Sequence, residues 1–230
     1  MPRLIGRTAI VTGASSGIGH AIALALAKEG AAVVGMARRF EATRVPAPPR
    51  SGTVLEVALD VTDEDQVEAR FAEVPALDLL VCSAGVGVFA PLGKASVADL
   101  RAMLEVHVVG SFLCARAALR RMVAQRRGHI VLIGSVAATK AFTECGGYTA
   151  AKAGQLGLAR VLAEEARPFD VRVTSVLPGA TDTAIWDDRP GFDRTKMLRP
   201  EDVAGFVAAI VARPGIAVEE VVVAPPAGVL

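Results

Sequence analysis

Seven short apolar runs punctuate the chain, at 7–12, 31–36, 53–59, 77–82, 129–134, 170–179 and 218–225. Their length and their Val, Ile and Leu content read as β-strands. Between them the pattern changes. Residues 20–30 (HAIALALAKEG) and the Ala- and Leu-rich segment that starts at Gly146 and runs on as YTAAKAGQLGLARVLAEEA read as helices. Thr62-Asp63-Glu64-Asp65 opens another, with Thr62 as its cap and acids in the first turn. A long helical stretch is expected from Ser96 to Arg126, with more Leu, Met, Val and Phe positions than a solvated helix carries, which suggests a partner surface. One crossover breaks the rhythm: Pro46, Pro48 and Pro49 exclude a helix interior between the second and third strands and leave a short turn and a loop. Strands alternating with helices in this order predict an α/β fold, a doubly wound (Rossmann) seven-stranded parallel sheet flanked by helices. The 230 residues suffice for one core and no Gly/Ser-rich stretch marks a boundary, so 1–230 is expected to be a single domain.

The turns after these strands carry the candidate chemistry. Gly13, Gly17 and Gly19 follow the first run and precede a helix. In that setting Gly13 takes the tight turn, while Gly17 and Gly19 let backbone approach a pyrophosphate at the helix N-terminus. The second run ends at Ala37-Arg38-Arg39, with no acid before Glu41. An acid here would bind the ribose 2′-hydroxyl of NAD, whereas an arginine suits a 2′-phosphate. Arg38 therefore argues for NADP(H), with Ser15, Ser16 or Arg39 assisting. Asp60, at the carboxyl end of the third run, is placed to accept from an adenine amino group. Cys82-Ser83-Ala84-Gly85 after the fourth run are small enough for a nucleotide to approach closely.

Ser135 follows the fifth run, thirteen residues before Tyr148, the only tyrosine; Lys152 comes four residues later. An i, i+4 pair shares one helix face, so the phenol and the amine are neighbours. Together with the serine they can polarise a carbonyl and give it a proton. Lowering a tyrosine from ~10 to about 7 takes roughly 4 kcal/mol. One ammonium about 4 Å away, at an effective dielectric of ~20, supplies about that much. Lys152 is thus expected to poise Tyr148 as a general acid.

Composition narrows the class. With 52% apolar residues and a net charge of +1, neither disorder nor a nucleic-acid footprint is indicated. Uninterrupted apolar runs stay well short of ~18 residues, so no membrane partner is expected, and the N-terminus lacks a signal-peptide pattern. Cys82, Cys114 and Cys145 are odd in number and widely spaced, matching neither a disulfide framework nor a zinc pattern. A cytoplasmic location and no metal are expected.

The order and spacing of these motifs resemble the short-chain dehydrogenase/reductase family in its compact single-domain form. The resemblance covers nearly the whole chain: TGxxxGxG at Thr12 to Gly19, Asp60, a degenerate NNAG at Cys82 to Gly85, Ser135, the YxxxK pair, and Pro178-Gly179. It implies strand order 3-2-1-4-5-6-7 and a nicotinamide near the carboxyl ends of strands 4 to 6. The implied cofactor-binding set adds Ile18, Val61, Ser83, Ala84, Gly85, Pro178, Gly179, Thr181 and Thr183, the last holding the nicotinamide carboxamide. Tyr148 and Lys152 belong to the same set, with Lys152 on the ribose hydroxyls. Ser135 would donate to the substrate oxygen, and the cofactor would supply hydride. Two departures stand out. His107 occupies the place of the family's usual relay asparagine, and Cys82 and Ser83 that of two more. The chain contains no asparagine anywhere, so these positions would differ even in an active protein. The family's relay water is held by a main-chain carbonyl, which a histidine still provides. His107 itself either shuttles protons or is a buried, hydrogen-bonded histidine.

Residues 182–199, with the only tryptophan, Trp186, resemble the family's mobile substrate lid. Cys145 is read as a pocket wall, with Val88, Phe89, Phe142 and Trp186 as neighbours suited to an apolar or aromatic carbonyl compound. The expected function is NADPH-dependent reduction of a ketone or aldehyde, or the reverse. A catalytically silent NADP-binding regulator or scaffold is the alternative, and dehydration or epimerisation on the same fold stays open. The helices around His107 and Tyr148 resemble the pair that forms a four-helix interface in the family, implying a homodimer or homotetramer.

Overall fold

Each apolar run forms a strand in the computed structural model, which describes residues 3–45, 49–189, 191–226 and 228. The strands are β1 (Thr8–Thr12), β2 (Ala32–Ala37), β3 (Val54–Ala58), β4 (Leu79–Cys82), β5 (Gly128–Ile133), β6 (Val171–Pro178) and β7 (Glu220–Val223). They lie in the order β3-β2-β1-β4-β5-β6-β7, and every pair is parallel. The runs are continuous rather than alternating because both faces of the sheet are covered. Ile10, Leu80, Ile130 and Leu132 point into one core layer. Their neighbours Val11, Val81, Val131 and Ile133 point into the other.

The helices follow in chain order as α1 (Gly17–Lys28), α2 (Glu64–Ala72), α3 (Val97–Leu104), α4 (Gly110–Gln125), α5 (Gly146–Ala166) and α6 (Pro200–Val211). α1 and α6 pack together on one face, and α2, α4 and α5 cover the other. The cap of α2 is Asp63 rather than Thr62. Its carboxylate accepts from the Gln66 N–H at 3.0 Å, while the Thr62 hydroxyl turns back to donate to Asp60 Oδ1 at 2.8 Å. The charged carboxylate, matched to the positive end of the helix dipole, takes the helix N-terminus. No helix joins β2 to β3 among the described residues, and Pro46 and Pro48 lie outside them.

The stretch expected to be one helix from Ser96 is three pieces: α3, a π-helical turn at Glu105–Val109, and α4. By length and composition Val97–Gln125 is long and apolar enough to cross a bilayer, although no single run within it is. Half of its most apolar window is packed inside the protein, with α2 on one side and α5 on the other. β1 has β2 on one side and β4 on the other, so successive crossovers leave it in opposite directions. A crevice opens at such a switch point, beyond the carboxyl ends of the strands.

Candidate active site

The glycine loop leaves β1 at Gly13 (φ +68°) and enters α1 through Gly17 (φ +54°). A Cβ on Gly13 would lie 2.7 Å from Ala84 backbone, so the turn is pressed against the end of β4. Gly19 acts differently from the sequence-based expectation. Its Cβ would lie 2.3 Å from the Gly13 carbonyl oxygen, so this glycine lets α1 close onto its own strand rather than admitting a ligand. Ser16, the N-cap of α1, makes no side-chain cap bond, which leaves first-turn N–H groups in need of an acceptor. Its hydroxyl accepts instead from Arg39 Nη2 at 2.8 Å, and Ser15 Oγ accepts from the same guanidinium at 3.2 Å. Unpaired helix N–H groups beside an arginine are two sources of positive potential at one spot, and they fit the phosphates of a dinucleotide.

Arg39, not Arg38, therefore reaches the loop. Arg38 is exposed and makes no side-chain hydrogen bond among the described residues. Asp60 is more committed locally than expected: its Oδ1 accepts from the Thr62 N–H and hydroxyl, and its own N–H donates to Gln66 Oε1. Only Oδ2 is left for an adenine. Val61 is buried and packs where a Cβ on Gly110 would be. The Thr12 hydroxyl accepts from the Ser83 and Ala84 N–H groups, tying the end of β4 to the glycine loop. Sequence reasoning gave Thr12 no such role; its place at the head of the TGxxxGxG run was the available signal.

Tyr148 sits in the first turn of α5, and Ser135 lies two residues past β5, beside it. Burial pushes the phenol up to about 12, while the Ser135 hydroxyl pulls it down. Lys152, one turn on, is buried with Nζ 5.8 Å from the Tyr148 ring centre. It donates to the Ile133 carbonyl at 2.9 Å and to Gln155 Oε1 at 3.1 Å. Burial lowers this amine to about 7. The expectation that a lysine charge alone brings the tyrosine near neutrality is thus corrected. Coulomb attraction at a surface-like dielectric ignored desolvation, which here raises the phenol and lowers the amine. The protonated phenol is nevertheless the form that can donate a proton. Gln155 Nε2 in turn donates to Ser111 Oγ at 2.8 Å, a buried polar chain that sequence reasoning missed. A lone glutamine three residues after Lys152 in an Ala- and Leu-rich helix was its only trace.

His107 lies in the π-helical turn, buried, edge-on to the Tyr148 ring with centres 5.6 Å apart. Its Nε2 lies 2.7 Å from the Val86 carbonyl, and Nδ1 has no partner. Desolvation, then the Lys152 charge, lowers it to about 3. Of the two roles expected for it, the geometry matches the buried, hydrogen-bonded histidine, which fastens the loop after β4, and burial moves its titration away from the neutral range a shuttle would use. A Cβ on Gly85 would meet its ring at 2.9 Å, so the glycine makes room for it.

Ser135 and Tyr148 open into a cavity of about 340 Å³, which Ile18, Pro178, Gly179, Thr181 and Thr183 also line. Thr181 is buried and donates to the Gly179 carbonyl, while the Thr183 methyl carbon lies 3.1 Å from where a Gly17 Cβ would be. Phe89, Phe142, Cys145 and Trp186 form wall as expected, but Val88 does not. Sequence reasoning missed Arg189, which joins that wall from the 182–199 segment; Pro190 in that segment lies outside the described residues. A larger cavity of about 400 Å³ lies at the amino ends of the strands, among Arg7, Asp78, Arg127 and Arg172. It holds none of the Ser, Tyr and Lys set and is not the centre of this chemistry.

The family model for short chain dehydrogenase matches residues 7–191. The cis-4-hydroxycyclohexanecarboxylate dehydrogenase of Sinomonas cyclohexanicum is 38% identical over 218 residues, 88% of this chain and 88% of that one. An alcohol dehydrogenase from the archaeon Thermococcus sibiricus, complexed with 5-hydroxy-NADP, superposes with a TM-score of 0.82 at 28% identity, covering 94% of this chain and 95% of the other. A short-chain type dehydrogenase/reductase from Mycobacterium marinum gives 0.85 at 29%, covering 96% and 95%. With its strand order, crevice and sequence all in agreement, the chain belongs to the short chain dehydrogenase family, oxidoreductases that act on alcohols and ketones with a nicotinamide cofactor.

Proposed function

We propose that this protein is an NADPH-dependent carbonyl reductase, or in reverse an alcohol dehydrogenase, working through Ser135, Tyr148 and Lys152. The observation that carries the reading is the meeting of Ser135 and Tyr148 in one cavity, with Lys152 buried directly behind the phenol. When bound, a reduced nicotinamide supplies hydride to the carbonyl carbon. Tyr148 is protonated, donates a hydrogen bond to the carbonyl oxygen and delivers its proton as that oxygen gains charge. Ser135 adds a second donor to the same oxygen. The balance is one carbonyl, one hydride and one proton in, one alcohol out. Lys152, through the Ile133 carbonyl and Gln155, holds the helix side of the site and returns the proton to Tyr148.

NADP over NAD is favoured by Arg39 over Ser15 and Ser16 and by the absence of an acid at the end of β2. The 182–199 segment is read as the substrate lid of a single domain, since Trp186, Arg189 and Phe192 on it line the cavity. Three free, buried cysteines suit a reducing, cytoplasmic setting. Exposed Phe112 and Val161 on α4 and α5 suit a homodimer or homotetramer. The relative that acts on a hydroxycyclohexanecarboxylate makes a compact carbocyclic alcohol, or its ketone, the first substrate to try. The test is Tyr148→Phe: NADPH oxidation on a ketone panel should fall by ~10²–10⁴-fold while NADPH binding, followed by its fluorescence, persists. Unchanged turnover would remove the mechanism.

A further inference from the structure

The wall of the substrate cavity facing Tyr148 is aromatic with one cation set into it. The Arg189 guanidinium carbon lies 4.4 Å from the Phe89 ring centre, 5.1 Å from that of Phe192 and 5.7 Å from that of Trp186. Trp186 and Phe192 also pack on each other at 4.7 Å. A guanidinium keeps its planar fork of donors when it lies against rings, and three rings leave this one only 17% exposed. Its one carboxylate partner among the described residues is Glu144, at 3.1 Å and 45% exposed. Glu144 is also one of three non-glycine residues with positive φ among the described residues, at +64°, four residues before Tyr148. The pair is lopsided: the cation is embedded in the wall, and the anion sits at the rim, where water can take it. A carboxylate at a wet rim is held weakly, so another carboxylate can replace Glu144 at little cost.

The spacing bounds the size of the molecule that carboxylate could belong to. Phe89 lies 5.4 Å from the Tyr148 ring centre. Placed end to end, 4.4 and 5.4 Å bound the guanidinium within about 10 Å of the tyrosine ring. A carbonyl and a carboxylate on opposite corners of a six-membered ring span roughly 6–7 Å at ordinary bond lengths. We infer that Arg189 is the carboxylate receptor of the substrate pocket, and that the substrates are oxo acids, or the matching hydroxy acids, with a compact carbocyclic or aromatic spacer. The inference rests on the carbonyl-reductase reading for the reacting end and on Arg189 alone for the other.

Trp186 is the only tryptophan, so its fluorescence reports on this wall. Titration with cyclohexanecarboxylate should perturb it at least tenfold more tightly than titration with the methyl ester, and Arg189→Met should abolish that difference. Glu144→Gln removes the competing charge and should tighten carboxylate binding at least threefold, a gain that misfolding cannot imitate. In turnover, the wild-type preference in kcat/KM for 4-oxocyclohexanecarboxylate over its methyl ester should shrink at least tenfold in Arg189→Met and partly return in Arg189→Lys. Equal losses on acid and ester would make Arg189 a latch of the 182–199 segment and overturn the inference, as would equal binding of acid and ester by the wild type. If carboxylates perturb Trp186 as described but no ketone is reduced, the receptor stands and the reductase reading fails.

Discussion

Lys152 offers the sharpest test of how this site is charged. In the unfolded chain its amine has a pKa near ~10.4, and in the fold burial brings it down to about 7. Between those values the unfolded chain binds a proton that the folded chain does not. Stability therefore rises as pH climbs from about 7 toward ~10.4, and the charged amine is the destabilising form below that window. At about 1.4 kcal/mol per unit the whole gap amounts to roughly 4–5 kcal/mol. Lys152→Met removes the titration. It also removes the donors to the Ile133 carbonyl and Gln155, but that loss is independent of pH and drops out of the slope. Urea unfolding of both proteins at about pH 6.5, 8 and 9.5 gives the difference in stability. The subtraction matters, because the buried thiols of Cys82 and Cys114 are pushed up by burial and tilt both curves the other way in the same range. Wild type should gain on the variant by about 3 kcal/mol between the ends of this window. A flat difference would mean that Lys152 stays an ammonium throughout, held by its two acceptors. The simple Coulomb account of an acidified tyrosine would then return, and the desolvation argument would be wrong.

Arg39→Met should raise the KM for NADPH roughly 10–100-fold, the loss of a charge-assisted hydrogen bond of about 1.5–3 kcal/mol, with the KM for NADH nearly unchanged; initial rates with both cofactors decide it. Arg38→Met should shift neither by more than about threefold, and the reverse ranking would restore Arg38 as the phosphate ligand. His107 is held neutral in the fold, lowered to about 3, so the unfolded chain takes up its proton first as pH falls from about 6.5 to 3 and stability is lost across that window. His107→Asn removes one of two such histidines, His129 being the other, and should move the acid-unfolding midpoint by circular dichroism to lower pH; an unmoved midpoint contradicts the buried neutral ring. Phe112→Glu, on the exposed face of α4, should turn a sedimenting dimer or tetramer into monomer, and a monomeric wild type contradicts the interface.

Continuous apolar runs and the glycines between them were enough, read from the sequence, to place seven parallel strands. A strand buried on both faces must be apolar throughout, and Gly13 and Gly17 occupy backbone conformations that other residues reach only under strain. Ser135, Tyr148 and Lys152 were legible as a set because helix periodicity joins two of them and a strand end delivers the third. What the sequence could not carry was anything set by burial or by contacts far apart along the chain. Desolvation, not spacing, is the largest influence on the proton affinities of Tyr148, Lys152 and His107, and it depends on what packs around them. Whether Arg38 or Arg39 covers the glycine loop depends on how the chain turns after β2. The Arg189 wall joins residues 89, 144, 186, 189 and 192, from three loops with no shared period. Local periodicity fixed the scaffold; the dielectric and the reach across loops, which set the chemistry, came only with the folded chain.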